Sequence, residues 1–563
     1  MYMEQNIINK IEEWSKFATE DLDLVNEYQS IKNDEEKLFD AFYKELSFGT
    51  AGLRGVLGFG TNRMNIYIIR KATQGVANYL KEEFKGKKVS VAVSYDSRIK
   101  SDVFAREASK VLASNGIHVY LYKQLMPVPL LSFATRELKC DAGIMVTASH
   151  NPSKYNGYKV YGSDGCQITE IAADKILKEI GKINPFEVKT ESFEKLLTNN
   201  LIEFISDEVL DKFINIVRSQ SVLGKEHVDK DVKIVYSPLN GAGLVPVTKI
   251  LKESGYTNIS VVEEQRLPDG HFPTCPFPNP EVREAMELGI SYAKKLDADL
   301  LIATDPDCDR VGIAVKNGAD FTLLSGNQVG VLLLNYICEL RTLNKTMPPK
   351  PFAVATIVST DMVELVAKKY GVEMFRCLTG FKYIGSIIAD HEARGEEGNY
   401  IFGFEESYGY LTHTFARDKD AVNGAFMIAE MFAYYKTRGI SLIEKLNSLY
   451  KEFGYFLNKT DNFVFEGAAG FGKMKEIMAS FREGLDSIGG FNIKESLDYS
   501  KGIKGLPKSD VLKYILENGS TVVVRPSGTE PKLKMYCSIK ASDEAESMAI
   551  YEKISKDLSR KFK

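Results

Sequence analysis

The apolar pattern predicts a helical N-terminal segment followed by alternating strands and helices. In the first 45 residues or so, apolar positions recur at helical spacing with charged residues between them. These positions are Ile8, Ile11, Trp14 and Phe17. From Lys88 onward, short β-branched runs at 89–93, 118–121 and 143–146 are separated by amphipathic stretches. Such alternation predicts a mostly parallel sheet covered by helices.

The alternation restarts twice further along the chain. It resumes at 232–235, runs to 300–303, and restarts at 352–355. A polar stretch at 458–462 is interpreted as a linker, and the remainder is rich in strands around 522–538. The fold class is therefore α/β, with three similar α/β units and mixed sheets, plus a C-terminal α+β unit. We place the domain boundaries at 1–210, 211–325, 326–455 and 456–563.

Composition and charge restrict the function classes. The 563 residues are 44% hydrophobic and 26% charged, with a net charge of -4, which argues against a general nucleic-acid binder. The cysteines are scattered without zinc-site spacing, so a reducing, cytoplasmic setting is expected. They lie at positions 140, 166, 275, 308, 338, 377 and 537. Residues 1–16 are polar, and no apolar run reaches ~18 residues, so neither a signal peptide nor a membrane span is expected.

The candidate chemistry follows the strands, where ligands of open α/β sheets bind. After residues 143–146 comes Thr147-Ala148-Ser149-His150-Asn151-Pro152. Ser149 is a candidate nucleophile on a tight turn, with His150 and Lys159 as proton carriers. The alternative is a polar turn made by Asn151 and Pro152. A serine hydrolase is less favoured, because the Gly-x-Ser-x-Gly elbow is missing.

A second loop, after residues 300–303, is rich in carboxylates. Asp305, Asp307 and Asp309 alternate, and Arg310 follows them. Three carboxylates after a strand can converge on one magnesium-like cation, and the arginine suggests that a phosphate also binds there. An EF-hand is excluded because its sixth position would be Arg310 rather than glycine. The alternative is a solvated acidic turn.

Two further loops complete the set. The segment 403–409 places Glu405 and Ser407 between glycines, which suits hydrogen bonding to sugar hydroxyls, and Lys419 follows soon after. The segment Arg525-Pro526-Ser527-Gly528-Thr529-Glu530 follows a strand and is a plausible phosphate nest. By itself, the segment 403–409 is no more specific than a salt-bridged turn. The segment 525–530 by itself is only moderately specific.

Together and in this order, the loops closely resemble those of the α-D-phosphohexomutase family. The resemblance extends from Thr50-Ala51-Gly52-Leu53-Arg54-Gly55 to Tyr536. It implies four domains around a central active-site cleft, contributing in turn a phosphoserine loop, a metal loop, a sugar loop and a phosphate loop. The third loop is similar to that of the glucose-preferring branch, which is related to phosphopentomutases.

The resemblance implies an isomerase that interconverts glucose 1-phosphate and glucose 6-phosphate through phosphorylated Ser149 and a glucose 1,6-bisphosphate intermediate. It implies one Mg²⁺ held by Ser149, Asp305, Asp307 and Asp309. Proton transfer and contact with the transferring phosphate fall to His150, Lys159, Lys419 and Arg54. Substrate binding falls to Arg310, Glu405, Ser407, Arg525, Ser527, Gly528, Thr529 and Lys534.

Several alternatives stay open at this point. The same mechanism could act on pentose or mannose phosphates. An aspartyl-phosphate phosphatase or mutase with Asp305 as nucleophile, or a catalytically inactive sugar-phosphate sensor, would use the same scaffold differently. The expected partners are small sugar phosphates, with no nucleic acid and no membrane, and the expected state is a monomer or weak homodimer. The C-terminal unit is expected to close on substrate by a hinge.

Overall fold

The computed structural model describes residues 3–49, 52–465, 467–503, 505–526 and 532–562. The N-terminal segment is helical, as predicted, and consists of α1 (Gln5–Phe17), α2 (Leu22–Ile31) and α3 (Glu35–Phe42). The side chains of Asp21 and Asp34 cap α2 and α3 by accepting backbone N–H groups. Trp14 packs edge-on against three rings at centroid distances of 5.8–5.9 Å, those of Phe42, Phe59 and Tyr67. The segment is thereby fixed to the first α/β unit.

The first α/β unit contains a six-stranded sheet in the order β1-β5-β4-β2-β3-β6. Strands β2, β3, β4 and β6 pair in parallel, whereas β5 is antiparallel to both β1 and β4. The sheet is therefore mixed. Its elements are β1 (Gly52–Val56), α4 (Ile66–Glu83), β2 (Ser90–Tyr95), α5 (Ser101–Ser114), β3 (His118–Leu121), α6 (Val128–Glu137), β4 (Ala142–Val146), β5 (Tyr155–Gly162), α7 (Glu170–Ile180), α8 (Phe193–Thr198) and β6 (Ile202–Phe204).

The second unit has a five-stranded sheet in the order β11-β10-β9-β7-β8, with β10 and β11 antiparallel at one side. Its elements are α9 (Asp207–Arg218), β7 (Ile234–Ser237), α10 (Leu244–Glu253), β8 (Ile259–Val261), α11 (Glu263–Arg266), α12 (Arg283–Lys295), β9 (Leu300–Thr304), β10 (Val311–Asn317) and β11 (Asp320–Leu324).

The third unit has a four-stranded sheet in the order β13-β12-β14-β15, in which only β15 is antiparallel among the described strands. Its elements are α13 (Gly326–Leu343), β12 (Phe352–Thr356), α14 (Met362–Lys369), β13 (Glu373–Cys377), α15 (Phe381–Glu392), β14 (Tyr400–Glu405), β15 (Gly409–Leu411), α16 (Ala421–Thr437) and α17 (Leu442–Phe453). Short 3₁₀ turns occur at Glu397–Asn399 and, in the fourth unit, at Tyr499–Lys501.

The C-terminal unit has a six-stranded sheet in the order β16-β21-β20-β19-β18-β17, and the pairs between its strands are antiparallel. The predicted linker at 458–462 is wrong, because these residues lie within β16. Among the described strands β16 pairs with β21 alone, and its polar side chains are half-buried or exposed at this edge of the sheet. The elements are β16 (Tyr455–Val464), α18 (Gly467–Glu483), β17 (Ser487–Ile488), β18 (Phe491–Asp498), β19 (Leu512–Leu516), β20 (Thr521–Pro526), β21 (Lys532–Ala541) and α19 (Glu544–Lys561).

The cores are distributed unequally. One continuous apolar cluster joins residues of the first three units, with the almost wholly buried α16 near its centre. The C-terminal unit has its own core and meets the third unit through a small apolar contact that includes Val358, Leu378 and Val523. The first three units are therefore fused through a shared core, whereas the C-terminal unit is attached more separately. Within the described residues, no helix is long and apolar enough to cross a membrane.

Candidate active site

The first predicted loop holds Ser149 at the carboxyl end of β4. Ser149 adopts a left-handed φ of 52°, which is uncommon for a residue with a side chain, and it is only 4% exposed. Its backbone N–H donates to Thr147 Oγ1 at 2.8 Å. Its Oγ donates to Asp305 Oδ2 at 2.9 Å and lies 3.1 Å from His150 Nδ1. The serine is therefore directed at the carboxylates of the second unit.

Two residues that the sequence reasoning missed support this loop. The Arg98 guanidinium donates to the carbonyls of Ser149, Asn151, Pro152 and Tyr155. Asp96 accepts from Thr147 Oγ1 at 2.6 Å and lies 3.5 Å from Arg98 Nε. Asp96 and Arg98 directly follow β2, so the rule that located the other loops contained the signal for them.

The carboxylate loop joins β9 to the antiparallel β10. Asp305, Asp307 and Asp309 are all at most 1% exposed. Asp305 Oδ1 accepts the backbone N–H groups of Asp309 and Arg310 at 3.1 and 2.9 Å. These bonds curl the loop so that its carboxylates lie together.

Two predicted lysines neutralise part of this charge. Lys159 Nζ lies 2.9 Å from Asp307 Oδ2, and Lys419 Nζ lies 3.2 Å from Asp309 Oδ2. Burial opposes ionisation of Asp307, but the nearby Lys159 ammonium holds the pKa of that carboxyl below its usual range. Lys159 and Lys419 come from different units and meet at the same carboxylates.

The triad fits a hard divalent cation. One oxygen from each carboxylate lies within 4.8 Å of the others, and among the described residues this is the single such group. Buried Asp307 Oδ1 and Asp309 Oδ1 have no hydrogen-bond partner. Burial and the neighbouring carboxylates raise the pKa of Asp305 well above its usual range. Crowded, partly unsatisfied carboxylate oxygens of this kind are a suitable ligand set for Mg²⁺.

The third loop turns between β14 and β15. Glu405 is buried, and its Oε1 accepts the Gly380 N–H at 2.8 Å. Burial is the main reason that the pKa of Glu405 rises to about 7. Glu406 also bonds within the third unit, because its Oε2 accepts from Thr356 Oγ1 at 2.8 Å. Glu405 and Ser407 line the same cavity.

The fourth loop is described only at its start. Ser527, Gly528 and Thr529 lie outside the described residues. Arg525 lies one residue before the end of β20, pairs across the sheet with Lys534 and donates to Thr379 Oγ1 at 2.5 Å. Burial, followed by repulsion from Lys532 and Arg525, lowers the pKa of Lys534. Glu281 and Glu406 only partly offset the mutual repulsion of these three cations at Lys534, so the cluster favours binding of an anion.

A cavity of about 950 Å³ connects these loops. Its walls contain predicted residues from each unit, namely Arg54, His150, Arg310, Glu405, Ser407, Lys419, Arg525 and Lys534. Arg54 also donates to Asn151 Oδ1 at 3.1 Å. Arg310 forms an ion pair with Glu281, a neighbour that the sequence reasoning did not identify. Lys459 and Lys532 are further cations in the wall that it missed.

Comparison with known proteins agrees with this architecture. The models for phosphoglucomutase/phosphomannomutase α/β/α domains I, II and III match residues 45–186, 210–318 and 325–453, and the model for the C-terminal domain matches residues 475–554. The chain is 36% identical over 535 residues to a phosphoglucomutase of Staphylococcus saprophyticus, covering 92% of this chain and 95% of that protein. It is 35% identical over 548 residues to a phosphoglucomutase of Staphylococcus aureus, covering 94% and 95% respectively.

Solved structures share the fold at lower identity. The phosphoglucomutase parafusin of Paramecium superposes with a TM-score of 0.69 at 18% identity, covering 92% of this chain and 95% of that one. A putative phosphomannomutase of Thermus thermophilus gives a TM-score of 0.68 at 22% identity, covering 92% and 99%. The architecture of three α/β units and a C-terminal α+β unit is thus common to these proteins.

Proposed function

Because the chain belongs to the phosphoglucomutase/phosphomannomutase family, we propose that it interconverts glucose 1-phosphate and glucose 6-phosphate through a phosphorylated Ser149. It is an intramolecular phosphotransferase of the isomerase class. The observation that carries this proposal is the hydrogen bond of 2.9 Å between Ser149 Oγ and Asp305 Oδ2. That bond joins the candidate nucleophile to the carboxylate triad, and the sequence neighbours His150 and Arg310 line a cavity rich in cations.

Asp305, Asp307, Asp309 and a phosphoserine oxygen at Ser149 would hold Mg²⁺. When bound, the ion supplies charge stabilisation to the phosphoryl group. The unpartnered oxygens of Asp307 and Asp309 support this assignment. A strictly aspartyl-phosphate mechanism is less favoured, because both oxygens of Asp305 already accept hydrogen bonds, from two backbone N–H groups and from Ser149.

In the first half-reaction, the phosphoserine O–P bond breaks while the sugar O6–P bond forms. The proton of the 6-hydroxyl leaves that oxygen, and the freed serine oxygen gains one. His150 Nδ1 lies 3.1 Å from Ser149 Oγ and can hold a proton there. Burial opposes the charge of Lys159 and Lys419, but the carboxylates beside them raise the pKa of both, so they stabilise developing negative charge as ammonium groups. Arg54 contacts the phosphoryl group in transfer.

The product of that step is glucose 1,6-bisphosphate, which turns over in the cavity. Its 1-phosphate then meets Ser149, and transfer back to the serine releases glucose 6-phosphate. Glu405 and Ser407 bind sugar hydroxyls in both orientations. A cavity of about 950 Å³ has room for this reorientation.

The phosphate that is not reacting binds to the C-terminal unit. Arg525 and Lys534 form this clamp together with Ser527, Gly528 and Thr529, and Arg310 contacts a phosphate from the opposite wall. The positive cluster of Arg525, Lys532 and Lys534 supports the assignment. Guanidinium and ammonium groups bind phosphate oxygens by charge-assisted hydrogen bonds.

A coupled assay tests the proposal. Glucose 1-phosphate is supplied with Mg²⁺ and a trace of glucose 1,6-bisphosphate, and mannose and ribose 1-phosphates are run in parallel. We expect fast formation of glucose 6-phosphate that is lost in Ser149→Ala and on chelation. Faster turnover of ribose or mannose 1-phosphate would be consistent with the mechanism but would overturn the assignment of glucose 1-phosphate as the substrate. Protein-bound phosphate that hydroxylamine removes would favour Asp305 over Ser149 as the nucleophile.

A further inference from the structure

A partly buried carboxylate of the third unit binds two side chains of the C-terminal unit. Asp361 lies between β12 and α14, and its Oδ2 accepts from Thr521 Oγ1 at 2.6 Å. Its Oδ1 lies 3.2 Å from Lys513 Nζ. Lys513 is only 7% exposed and also donates to the Ile357 carbonyl at 3.3 Å. This ionic contact between units is partly buried, and such a contact is more sensitive to loss of a partner than a surface ion pair.

The third unit holds Asp361 in place independently of that contact. Arg376 Nη2 lies 2.6 Å from Asp361 Oδ1, and Arg376 Nη1 donates to the Thr356 carbonyl at 2.9 Å. Thr356 Oγ1 in turn donates to Glu406 of the sugar loop at 2.8 Å. The segment 356–361 therefore connects the sugar loop at one end to the C-terminal unit at the other.

Strand geometry links Asp361 to the phosphate clamp. Thr521 and Arg525 lie four residues apart on β20, so their side chains project from the same face. Val523, between them, belongs to the apolar contact with Val358. At ~3.4 Å per residue, Arg525 is roughly 13 Å along the strand from Thr521. One sheet face thus carries the contact with Asp361 at one end and Arg525 at the other.

We propose that Asp361 is a positioning residue, whose contacts with Thr521 and Lys513 set the angle of the C-terminal sheet so that Arg525 and Lys534 face the catalytic cavity. This inference rests on the proposed function, because it assigns a phosphate to those cations. Asp361 touches no substrate and acts through β20. A rotation of only about 5° at this contact moves Arg525 by about 1 Å, and misplacement of that size can lower activity by ~100-fold.

The test compares three full-length variants. Asp361→Asn removes the charge, and Thr521→Val removes the hydroxyl while nearly preserving shape. Glu364→Gln is the matched control, because Glu364 also pairs with Arg376, at 2.9 Å from its Nε, and forms no hydrogen bond or ion pair with the described residues of the C-terminal unit. KM and kcat are measured with glucose 1-phosphate, and its affinity is measured by calorimetry in a Ser149→Ala background.

We expect Asp361→Asn to raise KM and Kd by about tenfold with kcat changed less than about threefold, and Thr521→Val to follow with a smaller effect. Glu364→Gln should match the parent protein. Unchanged Kd in both Asp361→Asn and Thr521→Val would overturn the inference, as would an equal loss in Glu364→Gln. If Asp361→Asn does not fold, Thr521→Val decides the matter. An inactive parent protein would overturn the proposed function alone, because the calorimetric comparison needs no turnover.

Discussion

Arg98 donates both Nε and Nη2 to the Ser149 carbonyl, with an Nε–O distance of 3.1 Å. The same guanidinium binds three further carbonyls of the loop, and its plane faces the Phe272 ring at 5.1 Å. The buried Arg98 side chain therefore fixes the left-handed turn at Ser149. A lysine cannot reproduce this planar set of donors.

Arg98→Lys should therefore lower kcat by about 100-fold while the protein remains folded, because the serine loses its fixed orientation. The measurement is kcat together with the rate at which glucose 1,6-bisphosphate phosphorylates Ser149, followed by mass spectrometry. Arg106→Lys is the control. Arg106 is exposed, and among the described aromatic rings it stacks only on that of Phe193, at 5.1 Å. Normal phosphorylation of Ser149 in Arg98→Lys would contradict this role.

Removing a carboxylate from the triad should weaken metal binding. Asp307→Asn keeps the shape of the side chain but removes one charge from the candidate Mg²⁺ site. We expect the Mg²⁺ concentration for half-maximal activity to rise by at least about tenfold and kcat to fall, because a neutral amide is a poorer ligand for a hard cation.

The measurement is a Mg²⁺ titration of activity, with direct Mg²⁺ binding by calorimetry as a second readout. Asp320→Asn is the control, because Asp320 is exposed and pairs with Lys294 at 2.9 Å away from the cavity. An unaltered Mg²⁺ requirement in Asp307→Asn would remove that residue from the proposed ligand set.

Glu405 should give substrate binding a pH dependence near neutrality. Burial raises the pKa of Glu405 to about 7, so the carboxyl is protonated below that pH and ionised above it. An ionised carboxylate is the stronger acceptor for sugar hydroxyls. KM for glucose 1-phosphate should therefore rise severalfold as the pH falls from about 8 to about 6.

Glu405→Gln should remove the contribution of Glu405 to the pH dependence of KM. The contribution of the substrate phosphate, whose second pKa is ~6, should remain. The comparison of KM profiles for the two proteins isolates the contribution of Glu405. Identical profiles would show that Glu405 does not control binding in this range.

The sequence predicted much of the fold and several of the residues that line the cavity. The strand-end rule located Ser149 and the carboxylate triad because strand ends of successive units converge at one cleft. The interpretation of 458–462 as a linker was wrong, because a continuous polar run on an edge strand resembles a linker in composition. The sequence reasoning also missed the ion pair of Glu281 with Arg310, since no local pattern indicates which distant side chain will neutralise a buried cation.

Lys532 should contribute to phosphate affinity without taking part in the chemistry. It lines the cavity, and its repulsion is one of the causes that lower the pKa of Lys534. Lys532→Met should raise KM for glucose 1-phosphate by about three- to tenfold with kcat nearly unchanged, because it removes attraction that is equal in the ground and transition states. It should also reduce the dependence of KM on ionic strength.

Lys494→Met, at an exposed position of the same unit, is the control. If both variants change KM equally, the effect belongs to the general charge of the C-terminal unit. If only Lys532→Met changes KM, the clamp includes Lys532 in addition to Arg525 and Lys534.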